Sequence, residues 1–292
     1  MAIVITGASG HLGRLVADAV LHRVDPSGVV LLTRDPSRLG ELAERGADVR
    51  AGDFADPGSL PGAFAGAERV LLISTDRIGE RVPGHQAAID AAVAAGARSI
   101  AYTSAINPSH SNPIVVAADH RATEEHLRAS GAAWTMLRHS IYAEVLLPGA
   151  GPALATGRHV TNEGDGRVSY VARADCAAVA ATVLTSDGHD RRIYDVTGPE
   201  ALGAQDVAAL YGELAGRAVD VVAVDDDAYA AGLVAHAGMP APIAKALTTF
   251  GIGARRWYSA AMSDTVRELT GRAPTAAREV LAANRETFAE GA

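Results

Sequence analysis

Three glycines, Gly7, Gly10 and Gly13, follow directly on the apolar run Ala2-Ile3-Val4-Ile5-Thr6 in this chain of 292 residues. Their G-x-x-G-x-x-G spacing can cradle a diphosphate. Gly7 permits a sharp exit from a strand, Gly10 lets backbone N–H groups come close to an anion, and Gly13 lets the next helix lie tightly on the strand. The diphosphate would sit at the start of that helix, beside Ser9, His11 and Leu12. Unpaired N–H groups and the positive end of the helix dipole favour an anion there without any charged side chain. A glycine triplet alone is equally an ordinary strand-to-helix turn. Here a strand precedes it, an amphipathic helix with Leu12, Leu15, Val16, Ala19 and Val20 follows, and Val29-Val30-Leu31-Leu32-Thr33 arrives where a βαβ unit returns its second strand.

The end of that second strand is where such a unit meets the adenosine ribose. An acid there pairs with the 2′-hydroxyl of NAD, and an arginine pairs with the 2′-phosphate of NADP. Arg34, with Arg38 one helical turn on, favours NADP(H), while Asp35 keeps NAD(H) as the alternative. Asp53 and Phe54 leave a third strand; Asp53 is placed either to accept from the adenine amino group or to close a turn. Ser74 and Thr75 end a fourth strand and Thr103 a fifth, all on the edge where open α/β sheets bind ligands.

For acid–base chemistry the candidates are His120, Glu124 and Tyr142. His120 and Glu124 stand four apart on one predicted helix, so the carboxylate can orient the imidazole, and Tyr142 can hydrogen-bond an acceptor oxygen. Each also has a structural role to weigh, as a helix packing residue or a cofactor support. The Tyr-x-x-x-Lys pair, in which lysine lowers the tyrosine pKa, is absent, since Lys245 is the sole lysine. Ten histidines include no H-E-x-x-H or comparable ligand spacing, so no metal site is expected.

These residues require a framework. Compact apolar runs at 29–33, 69–73, 99–102 and 134–138 alternate with helical patterns at 83–95 and 115–129, which predicts an α/β fold with a doubly wound parallel sheet of Rossmann type. The pattern changes near residue 150. We expect a NAD(P)-binding domain over 1–150 and a smaller α/β substrate or lid domain over 151–292, with a strand near 192–197 returning to the first sheet. Within the second half, Val168-Ser169-Tyr170-Val171 reads as a strand, Gly238 to Gly253 as a mobile segment, and Thr275 opens a last helix. Phe250, Trp257 and Tyr258 are either stacking walls or that domain's core.

Hydrophobic residues at 48%, charged residues at 21% and a net charge of −8 describe a globular protein that is not built for nucleic acid or an anionic membrane. Cys176, the single cysteine, excludes an internal disulfide and fits a reducing compartment, so a cytoplasmic location is the default expectation. Its ordinary reading is a small buried residue in an alanine-rich helix.

The chain resembles the NmrA-like atypical short-chain dehydrogenases, in the branch of NAD(P)H:quinone oxidoreductase type 2 and triphenylmethane reductase. The resemblance rests on Ile5 to Gly13, Leu71-Leu72-Ile73-Ser74, Ala101-Tyr102-Thr103-Ser104, His120 to Glu124, Leu137-Arg138 with Tyr142, and Arg173-Ala174-Asp175. It implies NADP(H) and hydride transfer to quinones or cationic dyes, and it places His120 where isoflavone-reductase-like relatives carry a catalytic lysine. His139 and Ser140 depart from the Asn-Gly of the quinone reductase branch. Two functions follow. One is an oxidoreductase that reduces a small quinone-like or dye-like acceptor with NADPH, acting as monomer or homodimer. The other is a non-catalytic NADP(H) sensor that regulates a protein partner. An open pocket beside the nicotinamide would favour the first, and a pocket filled by the chain's own side chains the second.

Overall fold

In the computed structural model of the protein, residues 2–286 are described. The first half lays down β1 (Ile3–Ile5), β2 (Val29–Thr33), β3 (Asp48–Ala51), β4 (Arg69–Leu72), β5 (Ser99–Ala105) and β6 (Ala133–His139). Between them run α1 (His11–Leu21), α2 (Gly40–Glu44), α3 (Leu60–Ala63), α4 (Arg81–Ala94) and α5 (Val115–Ala129). The second half adds α6 (Leu147–Thr156), β7 (Arg158–Thr161), β8 (Arg167–Val168), α7 (Arg173–Thr185), β9 (Arg192–Val196), β10 (Leu202–Gly203), α8 (Ala204–Ala215) and β11 (Asp220–Ala223). It ends with α9 (Asp226–Ala237), α10 (Ala241–Arg255), α11 (Thr265–Thr270) and α12 (Ala277–Ala283).

Seven strands form one parallel sheet in the order β3-β2-β1-β4-β5-β6-β9. The central strands β1, β2 and β4 are covered on both faces, which is why they are nearly continuous apolar runs, whereas the edge strands β3 and β9 carry Asp48, Arg50, Arg192 and Asp195. Ile3, Ile5, Leu31, Leu71 and Leu137 pack on one side against α1 and α7. Their neighbours Val4, Val30, Leu32, Val70, Leu72, Tyr102 and Met136 pack on the other against α3, α4 and α5. The strand order reverses between β1 and β4, and a crevice opens there at the C-terminal strand ends.

The second half has its own core, in which Leu146, Val168, Tyr170, Val207 and Tyr211 meet Ala254, Val280 and Leu281. Two small sheets, β10 with β8 and β11 with β7, flank it. Segment 173–196 lies with the large sheet: α7 packs on α1 and β9 pairs with β6. Two local expectations are corrected. The strand at 168–171 is only the two-residue β8, although Val171 makes an isolated bridge to Tyr142. Residues 238–253 are not a loose segment, because most of them form α10, after Pro240. Their glycines serve close packing. A Cβ on Gly251 would stand 2.1 Å from Asn162 Oδ1, and one on Gly253 would stand 2.4 Å from Ile114 Cγ1. This seating brings Phe250 to the wall of the crevice.

Candidate active site

The crevice encloses a cavity of about 1110 Å³, at or above the upper end of the roughly 300–1,000 Å³ that small-molecule sites occupy. Its wall includes Gly7, Ser9, Gly10, His11, Leu12, Gly13, Arg34, Asp53, Phe54, Ser74, Thr75 and Thr103, so the structure brings all the expected cofactor residues to one space.

The glycine turn forms as its spacing requires. Gly7 has φ +59° in the left-handed region, and Gly10 N–H donates back to Gly7 O at 2.9 Å. Gly10 then caps α1 with no side-chain hydrogen bond, so the N–H groups of His11, Leu12 and Gly13 lack intrahelical acceptors. This arrangement fits a diphosphate. At the end of β2, Ser9 Oγ and Thr33 Oγ1 are 2.8 Å apart, and Arg34 and Arg38 reach the wall. Asp35, by contrast, spends its carboxylate on Ser37 N–H at 3.1 Å and Ser37 Oγ at 2.6 Å, as an N-cap away from the wall. This end of the crevice therefore presents two arginines and not the Asp35 carboxylate, an arrangement that fits a phosphate. Asp53 Oδ1 accepts from Ala55 N–H at 3.0 Å, so the carboxylate shapes the turn at the adenine end while Asp53 still faces the cavity.

Around the sheet centre, hydroxyls clamp the loops. Thr6 Oγ1 accepts from Ile73 N–H and Thr103 Oγ1 from Ser74 N–H, both at 2.9 Å. Thr75 N–H donates to His85 Nε2 at 3.1 Å, which leaves the His85 proton on Nδ1 for Thr123 Oγ1 at 3.0 Å. Burial and the nearby Arg81 charge lower the His85 pKa to about 3.

His120 is buried and faces the cavity, but its partners differ from those expected. Nδ1 is 2.8 Å from the Tyr102 hydroxyl, and Nε2 is 3.3 Å from Arg81 Nη1. A guanidinium can only donate, so Nε2 accepts and the proton lies on Nδ1. Burial first, and then the charge of Arg81, hold this imidazole neutral. Glu124 does not orient it. The carboxylate accepts from Ser104 Oγ at 2.7 Å, Arg138 Nε at 2.9 Å, Arg138 Nη2 at 2.7 Å and Arg128 Nη2 at 2.8 Å, away from the cavity wall. Two arginines outcompete a neutral imidazole four residues away. The expectation that Glu124 serves the reaction through His120 is thus corrected to a structural role.

Tyr142 lies on the wall with its hydroxyl 3.0 Å from His139 Nδ1 and the Arg173 guanidinium 5.1 Å above its ring. Burial raises the Tyr142 pKa and lowers that of His139 to about 3, so both are neutral at physiological pH. Ser140 Oγ is 3.1 Å from Ser169 Oγ, which in turn lies 3.2 Å from Ser259 O.

Buried neutral imidazoles have a consequence for stability. An unfolded chain protonates histidine near pH 6.5, whereas His85 and His139 in the folded protein resist until about pH 3. Between those values the unfolded state holds more protons, so their contribution is complete above pH 6.5 and falls as the pH drops. We expect the urea midpoint to decline between about pH 7 and 5. A flat midpoint would mean that these imidazoles are charged in the native fold.

Sequence reasoning passed over Arg81. The available signal was positional: a cation in the first turn of a helix opposes the helix dipole, so such a residue is held there by something else. It also sits four residues before His85, on one face of α4.

Residues 7–187 match a family model described as NAD(P)H-binding. Quinone oxidoreductase 2 of Escherichia coli (strain K12) is 35% identical over 277 residues, which cover 95% of this chain and 96% of that protein. The structure of an Escherichia coli NADPH-dependent quinone oxidoreductase complexed with NADPH superposes with a TM-score of 0.92 at 34% identity, covering 96% of this chain and 99% of that one. The NADP(H) complex of Citrobacter sp. triphenylmethane reductase gives a TM-score of 0.90 at 30% identity, with 100% of each chain covered.

Proposed function

Because the chain belongs to the NAD(P)H-binding family, we propose that it is an NADPH-dependent oxidoreductase that transfers hydride to a quinone-like or dye-like acceptor. The observation that carries this is the open cavity, whose wall joins the phosphate-binding turn to a further region around Ser74, His120, His139 and Tyr142. A sensor that merely retained its cofactor would need no such space beyond the cradle.

In this reading the N–H groups of His11, Leu12 and Gly13 hold the diphosphate, and Arg34 with Arg38 takes the 2′-phosphate. Asp53 and Phe54 line the adenine end, and Ser74, Thr75 and Thr103 fix the floor. When bound, the reduced nicotinamide supplies a hydride. The chain's own contribution is then chiefly orientation and exclusion of water. Tyr142 and His139, both uncharged, line the acceptor side without delivering a proton, His120 has both ring nitrogens engaged by Tyr102 and Arg81 and so holds its neighbours in place, and water completes the protonation of the product oxygen.

Residues 1–150 supply most of the cofactor wall. Residues 151–292 contribute Arg173, Phe250 and Ser259 to the acceptor side. We place the enzyme in the cytoplasm as a monomer or homodimer, with no nucleic acid or membrane partner. The single buried cysteine supports a reducing compartment, and no described helix is long and apolar enough to cross a membrane.

The test is steady-state oxidation of NADPH and NADH against benzoquinones, naphthoquinones and cationic dyes. Acceptor-dependent turnover that favours NADPH is expected. Arg34→Ala should lower kcat/KM for NADPH by roughly 10- to 100-fold, the range of one lost charge-assisted hydrogen bond, and leave NADH nearly unaffected. An equal loss with both nucleotides would place Arg34 outside the phosphate site.

A further inference from the structure

Among the described residues, the buried side-chain polar atoms without a hydrogen-bond partner are Arg81 Nε, His139 Nε2, Glu163 Oε2, Asp195 Oδ1 and Ser259 Oγ. Arg81, His139 and Ser259 all line the one cavity. These three atoms are themselves closed off from the cavity, so it is the remaining polar groups of their side chains that can meet a ligand. Arg81 is the most consequential of the three because it carries a full charge at only 7% exposure.

The guanidinium is held from behind. Nη1 donates to Ser74 Oγ at 3.1 Å and to His120 Nε2 at 3.3 Å, and His120 is itself fixed by Tyr102. Asp119 Oδ2 is 3.5 Å from Nε, outside hydrogen-bond geometry, and already accepts from Gly79 N–H at 2.9 Å. The result is a pre-oriented cation, only partly compensated, whose Nη2 makes no hydrogen bond among the described residues and is not among the buried atoms, so it is the group left to meet a ligand. Lys245 is not on this wall, so no lysine competes for the role.

We propose that Arg81 contacts the acceptor oxygen on which negative charge develops, and that the protein therefore selects neutral conjugated carbonyl acceptors over cationic dyes. This rests on the reductase reading above. A quinone that gains a hydride, two electrons and one proton, becomes a hydroquinone monoanion, and one proton from water completes the hydroquinone. The anion is where a fixed, desolvated cation is most effective. A cationic triphenylmethane dye that gains the same hydride becomes a neutral leuco compound. No oxyanion forms, and the approach of a second cation to Arg81 in a low-dielectric pocket is opposed. His120 is then a positioning residue, acting through Arg81.

The experiment compares wild type, Arg81→Met and Arg81→Lys. Nicotinamide fluorescence titration measures NADPH binding. Turnover is measured with a naphthoquinone and with a triphenylmethane dye. The hydroxynaphthoquinone anion, a stand-in for the charged product, is titrated into the protein saturated with oxidised NADP. The wild type should prefer the quinone. Arg81→Met should lose on the order of 100-fold in kcat/KM for the quinone, as for a lost oxyanion donor, and bind the anion correspondingly more weakly. Its NADPH affinity and dye rate should fall far less than its quinone rate, and Arg81→Lys should recover part of the quinone and anion losses. Unchanged quinone turnover and anion affinity in Arg81→Met would overturn the proposal. So would a matching loss of NADPH affinity in a variant whose circular dichroism is native, because Arg81 would then serve the cofactor. If Arg81→Met does not fold, Arg81→Lys decides: an anion affinity and quinone rate indifferent to the altered donor geometry would count against the assignment. A wild type inert toward every acceptor would remove the reductase reading, while the anion titration would still decide whether Arg81 binds an oxyanion.

Discussion

Gly13→Ala is expected to destabilise the protein by about 3 kcal/mol, the upper end of overpacking costs, and to abolish saturable NADPH binding. The added Cβ would stand 2.2 Å from Gly7 O, 2.7 Å from Ala8 Cα and 2.8 Å from Gly7 C. All three atoms are backbone, so no side chain can turn aside, and relief requires α1 to move off β1. That movement would displace the N–H groups of His11, Leu12 and Gly13 from the cavity. Gly10 separates folding from binding. A Cβ there would meet only Gly7 O, at 3.2 Å, a contact relieved by a shift of a few tenths of an ångström, so Gly10→Asp should lose far less stability than Gly13→Ala yet reject NADPH through its charge and bulk. Thermal melts with fluorescence titration of both variants check the pair. Gly13→Ala with a wild-type melting temperature would contradict the packing on which the cofactor assignment depends.

The difference between these glycines explains what could be read from the chain before the fold was known. The proposed cofactor cradle is built from short pieces, each a strand followed at once by its loop. The residue types at Gly7 to Gly13, at Arg34 and at Ser74 therefore carry their own positional meaning, and the parallel sheet does no more than gather them. Asp35 shows the limit. From sequence it competes with Arg34 for the ribose. Only the path of the chain after β2 shows its carboxylate turned onto Ser37. The same limit conceals Arg81, whose meaning comes from Ser74, His120 and Asp119, residues up to 39 positions away. The segment 238–253, expected to be mobile, is the opposite case: most of it is α10, whose Gly251 and Gly253 are required by the approach of Asn162 and Ile114, a tertiary contact with no local signature.

Glu124 presents the sharpest conflict between a local rule and the folded protein, and its removal should be the costliest change outside the glycine turn. Spacing of four on α5 offers it to His120. In the fold it is 1% exposed, with one oxygen shared by Ser104 and Arg138 Nε and the other by Arg138 Nη2 and Arg128. Burial pushes its carboxyl upward, but the hydrogen bonds from Arg138, Ser104 and Arg128 and the Arg138 charge outweigh that and hold it below the ordinary carboxylate range. Its contribution is therefore present above about pH 4.3 and is lost as the pH falls through the lowered folded value. Glu124→Ala would leave Arg138 of β6 without its hydrogen-bonded partner and with only the Asp195 charge nearby, which should cost about 3 kcal/mol, the lower end for broken buried pairs. Arg128 is less demanding. It is 35% exposed and its guanidinium lies 5.3 Å from the Trp134 ring, so Arg128→Ala should cost no more than about 1 kcal/mol. Function provides the discriminating readout. If Glu124 only ties α5 to β6, then Glu124→Gln, assayed well below its melting temperature, should keep kcat within a few-fold of wild type with an unchanged pH profile. A stable Glu124→Gln with a collapsed kcat would return the carboxylate to the reaction. It would also mean that His120 exchanges Arg81 for Glu124 during turnover, a rearrangement in which four hydrogen bonds to the carboxylate would first have to break.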